Sequence, residues 1–120
     1  MQISKQFNSF YHVAIQQAMG AGGHIILKEI LDTGTGKPLL LEKNIDYFDT
    51  NDLKQIFKMT NFDYPIDDDN QKVSTRDISN AELVQHLEYI YKTLGENGYL
   101  IPIVDEAWQR VLDEANRMGI

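Results

Sequence analysis

The chain has 120 residues, no cysteine and a formal net charge of −7. That length suits one domain with an ordinary hydrophobic core, and the missing thiols exclude disulfides and thiolate metal sites. No run approaches the ~20 apolar residues of a membrane-spanning helix, and the interrupted N-terminal apolar residues do not form a secretory signal, so the chain reads as soluble and cytoplasmic.

Residues 4–19 read as a first helix. Phe7, Phe10, Tyr11, Ala14, Ile15 and Ala18 recur at three- and four-residue spacings, the period of one buried helical face. The glycines of Gly20-Ala21-Gly22-Gly23 end it, because glycine loses too much backbone freedom in a helix interior. From His24 to Leu41 two short apolar runs flank Asp32-Thr33-Gly34-Thr35-Gly36-Lys37. Aspartate and glycine are turn residues, and Pro38 resumes an extended chain, so this segment predicts a β-hairpin. A short helix over 24–31 is the alternative.

Ile30-Leu31-Asp32-Thr33-Gly34 resembles the apolar-apolar-Asp-Thr-Gly signature of the retroviral-type aspartic proteases. The resemblance covers about six residues, a short-motif match only. Such an enzyme needs two facing loops whose carboxylates share a proton, and the family is almost wholly β. Here roughly half the chain has helical spacing, so Asp32 reads as a turn residue. Gly34-Thr35-Gly36-Lys37 also fails as a phosphate-binding loop. Leu31 stands where the first glycine belongs, and Pro38 follows the lysine in place of a hydroxyl residue.

Asp49 or Thr50 is a suitable cap for a second helix, with Leu53, Ile56 and Phe57 on its buried face and Lys54 and Lys58 in water. Residues 61–79 lack a helical period and read as a long acidic surface loop; such loops are usually functional or disordered. Ser79-Asn80-Ala81-Glu82 is a capping box. It opens a helix whose stripe is Leu83, Leu87, Ile90, Tyr91 and Leu94, ended by Gly95. Tyr99–Ile101 reads as extended, since it leads into Pro102. A final helix, starting at Pro102 or capped by Asp105, carries Val104, Trp108, Val111, Leu112, Ala115 and Met118. The expected fold is therefore α+β: about four helices, one β-hairpin after the first, and a helical C-terminal half. Its expected core includes Phe10, Ala14, Ile26, Leu40, Phe57, Leu83, Leu87, Ile90, Trp108, Val111 and Leu112.

Charge is the strongest functional signal. Residues 1–60 hold six acids and six bases, whereas residues 61–120 hold twelve acids and five bases. An acidic half repels nucleic-acid backbones and attracts basic partners. The last two helices do not make a DNA-binding pair, because their connection exceeds the 3–4-residue turn of that motif. Asp67-Asp68-Asp69 fails the calcium-loop pattern, with Lys72 at the glycine position and Ile78 at the final Glu. His12, His24 and His86 have no metal-ligand spacing and read as structural residues at the surface or half-buried. No catalytic set, metal site or cofactor is expected.

The reading is a non-enzymatic protein-binding module of an inhibitor, immunity-type or accessory kind, engaging a basic protein partner. Its partner-binding residues would be Phe62, Asp63, Tyr64, Asp67, Asp68 and Asp69. Aromatic residues beside carboxylates make good anchors for such a partner, unless the two rings fold back and pin the loop to the core. The alternatives are a small enzyme with a site assembled from scattered residues around Asp32 or a histidine, and a nucleic-acid mimic.

Overall fold

The computed structural model describes residues 4–20, 49–96 and 102–120. Four helices carry these residues: α1 (Lys5–Gly20), α2 (Thr50–Thr60), α3 (Asn80–Glu96) and α4 (Pro102–Met118). The fold expectation is corrected here. Among the described residues there is no strand or sheet, and the one β feature is an isolated antiparallel bridge between Ile66 and Lys72. The described chain is mostly helical rather than α+β, because its backbone groups pair within helices. The hairpin assigned to 24–41, Asp32 within it, and the extended Tyr99–Ile101 segment lie outside the described residues.

α1 is the central element and packs on the other three, most extensively on α4; α3 also packs on α4. Phe7, Phe10, Tyr11, Ala14, Ile15 and Ala18 are all buried, as their spacing predicts. Phe10 meets Trp108 of α4 with ring centroids 5.3 Å apart and Tyr91 of α3 edge-on at 6.3 Å. Tyr91 stacks on Trp108 at 4.8 Å, and its hydroxyl donates to an Asp105 carboxylate oxygen. Three helices are thereby joined through one aromatic cluster.

Helix ends follow the local chemistry. Asp49 caps α2: its carboxylate accepts the Asp52 amide at 2.9 Å, and the Asp52 carboxylate accepts the Asp49 amide at 2.9 Å. Ser79 and Glu82 make the same reciprocal pair at the start of α3. That helix runs one residue past Gly95. Pro102 is the first residue of α4, where its missing amide hydrogen costs nothing. Gly119 closes α4 at φ +76. Its amide bonds the Asn116 carbonyl while the Ile120 amide reaches back to Ala115, the two bonds of a Schellman motif.

Leu112, Met118 and Lys58 depart from the expected pattern, Met118 being 37% exposed at the end of α4. Leu112 is 42% exposed: α4 turns Val104, Ala107, Trp108, Val111 and Ala115 inward, and Leu112 falls one residue, about 100°, past that face. Lys58 is buried instead of solvated, its ammonium lying 5.6 Å from the centre of the Tyr64 ring. Ile26 and Leu40 lie outside the described residues. No described helix is long and apolar enough to cross a membrane.

Candidate functional site

The 61–79 loop is built on Asn61. α2 ends there, with the Asn61 amide bonded to the Phe57 carbonyl. The side chain then makes two further bonds. Its Oδ1 accepts the Asp63 amide at 3.1 Å, and its Nδ2 lies 2.9 Å from His86 Nδ1. The first bond fixes the second: an oxygen committed to Asp63 leaves Nδ2 as the donor towards the imidazole. His86 Nδ1 is therefore the acceptor, and Nε2 carries the proton.

His86 is 1% exposed, more deeply buried than the sequence reading expects. Its position on α3, one residue before Leu87, aligns it with the apolar stripe, so helical phase alone was the available signal. Tyr64 meets the ring edge-on at 4.6 Å, Tyr11 edge-on at 6.3 Å, and Tyr89 lies nearly parallel at 6.3 Å. Burial, helped by the positive charges of Lys58 and Lys72, lowers its pKa to about 3. The imidazole is neutral at pH 7, and its Nε2 is the buried side-chain polar atom without a hydrogen-bond partner among the described residues.

Tyr64 and Phe62 part company. Tyr64 is buried, and its hydroxyl donates to the Val73 carbonyl at 2.6 Å. Burial and the nearby Glu82 carboxylate push its phenol up to about 12. Tyr64 therefore pins the loop to the core. Phe62 does the opposite and is 79% exposed. A large apolar ring held in water two residues from a fixed anchor has no role in the packing of the described residues.

Further along, Ile66 and Lys72 pair across a turn. Asp67 organises it: one carboxylate oxygen accepts the Asp69 and Gln71 amides at 2.9 and 3.0 Å. Its backbone amide bonds the Gln71 carbonyl at 2.8 Å, and Asn70 takes a left-handed φ of 64, which asparagine tolerates better than most residues. So Asp67 shapes the turn, while Asp68 and Asp69 stand exposed beside it. The six residues singled out in the sequence lie on one ordered segment, with Phe62, Asp63, Asp68 and Asp69 facing water.

An open groove of about 640 Å³ runs between this segment and α3. Asp63 lines one side, and Glu82, Gln85, Glu88, Tyr89 and Lys92 of α3 line the other; the buried Asn61, Tyr64 and His86 also contribute. Lys92 is engaged with Glu88 at 2.7 Å, and Glu82 gives one oxygen to the helix cap. Tyr89 donates to Thr60 Oγ1 at 2.5 Å, which itself donates to the Ile56 carbonyl. The groove is thus polar, with three carboxylates against one lysine. Sequence spacing revealed none of this, since the two walls are about 20 residues apart and meet through long-range contacts, the Asn61–His86 and Tyr89–Thr60 bonds and the Tyr64–His86 ring pair. No group of three or more His, Asp or Glu residues that could hold a metal ion occurs among the described residues.

Comparison with protein-family models, with curated proteins and with solved structures found no match.

Proposed function

We propose that the protein is a non-enzymatic binding module that engages a basic protein partner through the 61–69 segment and the adjoining acidic groove. The observation that carries this is the exposure of Phe62 on a fastened frame. Interfaces are centred on aromatic anchors ringed by polar residues, and here the anchor adjoins Asp63, with Asp68 and Asp69 on the same loop. A partner presenting an apolar pocket beside lysines or arginines suits both features. Preorganisation adds to the case, since a loop already held by Tyr64 and Asp67 loses little entropy on binding.

A second reading, a small enzyme centred on His86, has one point in its favour: the imidazole borders a polar groove. Its chemistry is poor for that role. A general base works best with a pKa near the operating pH, and burial holds this one near 3. Its hydrogen-bond partner is a neutral amide, which does not stabilise an imidazolium as a carboxylate would.

The test uses the full chain and whichever partner co-purifies with it from its host. Phe62→Ala is expected to weaken that complex at least about tenfold, as a central aromatic anchor does, while leaving the unfolding midpoint unchanged. Reversing Asp68 and Asp69 to Lys should slow association and flatten its salt dependence. Unchanged affinity in both variants would refute the reading.

A further inference from the structure

Lys92 is the lysine that lines the acidic groove. It follows Glu88 by four residues and Tyr89 by three on α3, so its side chain neighbours both across one helical turn. Its ammonium lies 2.7 Å from Glu88 Oε1. Glu82, nearer the start of the helix, has one oxygen on the Ser79 amide, and Asp63 lines the opposite wall. The half-buried Tyr89 is held by its hydroxyl on Thr60. In the free protein, then, the groove already contains a bound cation, supplied by the chain itself. That ion pair opens easily. Both side chains are well exposed, at 68% and 45%, and exposed pairs of this spacing contribute little to stability.

A partner's lysine arriving at Glu88 would exchange one ammonium for another, and the resident one has the advantage of being tethered. An arginine gains more. Its planar guanidinium gives two parallel donors to a carboxylate, and it packs on an aromatic ring where an ammonium keeps its water. Glu88 and Tyr89 line the groove side by side and suit those two contacts. We infer that the groove takes an arginine side chain of the partner, and that Lys92 holds its place on Glu88 until the partner arrives. The inference rests on the basic-partner reading and adds to it the kind of basic residue and the contact that must open.

The test is a nuclear magnetic resonance titration of the full chain at constant ionic strength with a blocked triarginine peptide and, separately, a blocked trilysine peptide. Saturable shifts are expected at the side chains of Gln85, Glu88 and Tyr89. The arginine peptide should bind at least about threefold more tightly than the lysine peptide, the gain from a bidentate pair. Lys92→Gln, a change between two good helix formers, should tighten arginine-peptide binding about threefold, the scale of an exposed ion pair. Lys5→Gln makes the same change of charge on α1, outside the groove, and should leave binding nearly unchanged. Glu88→Gln should weaken it about fivefold. Equal binding of the two peptides, equal gains in Lys92→Gln and Lys5→Gln, or shifts that never saturate would each overturn the inference. None of these outcomes touches the Phe62 measurement on the co-purifying complex, so this inference and the basic-partner reading can fail separately.

Discussion

Phe10→Ala is expected to destabilise the protein by about 4 kcal/mol, near the centre of the range for deleting a buried phenylalanine. The ring is fully buried and touches both Trp108 and Tyr91. Its loss removes apolar burial and leaves a void where α1, α3 and α4 meet, and close-packed neighbours relax only partly into such a space. A typical domain has a total stability of roughly 5–15 kcal/mol, so the variant should be close to unfolding at 37 °C. Urea denaturation followed by Trp108 fluorescence measures the change through the midpoint. Leu112→Ala is the matched control. With 42% of the residue already in water, its loss should stay within about 0.5 kcal/mol, as surface substitutions usually do. Equal losses at the two positions would mean that α4 is rotated about its axis relative to the fold described.

Stability should also fall with acid in a window that belongs to His86. In the folded chain its pKa is about 3 against an ordinary value of 6.5, so between those values the unfolded chain binds the extra proton. Unfolding is then favoured as pH falls. The contribution is fully present above pH 6.5 and is lost progressively down to about pH 3. By the usual linkage relation the loss is about 2 kcal/mol between pH 7 and pH 5, and on the order of 4 kcal/mol by pH 3. Ordinary carboxylates titrate mainly below that upper interval, so urea midpoints at pH 7, 6 and 5 isolate the histidine. His86→Phe should be nearly flat over the same interval, whatever its offset at pH 7 from the unpaired Asn61 amide. A wild-type midpoint that does not move from pH 7 to pH 5 would show that the imidazole accepts its proton in place.

These two positions show what the sequence made legible. Phe10 and its companions on α1 repeat with the helical period, and each apolar residue of that stripe is buried. The Asp49 and Ser79 caps were readable because they depend on residues three apart in the chain. Leu112 was misplaced because α4 has apolar residues on two overlapping stripes, and only packing against α1 decides which one turns inward. Lys58 was misplaced for a related reason: a lysine covers apolar surface with its stem, and the Tyr64 ring that receives it comes from a loop with no period of its own. The candidate site was half legible. Aromatic and acidic composition drew attention to Phe62 through Asp69, but composition could not separate Tyr64, which anchors, from Phe62, which is free, or Asp67, which bends the chain, from Asp68 and Asp69, which do not. The His86–Asn61 bond joins residues 25 apart, a separation at which no local pattern operates.

Backbone hydrogen exchange across residues 61–78 tests the central claim most directly, namely that Phe62 and its acidic neighbours are displayed on a fixed frame. The amides of Tyr64, Asp67 and Val73, bonded to the carbonyls of Asn61, Gln71 and Pro65, should exchange at least about a hundredfold more slowly than free peptide. Those of Phe62 and Asp68 should exchange freely. Fast exchange at all five positions would contradict the account, because an unfastened segment could not hold its aromatic anchor in place.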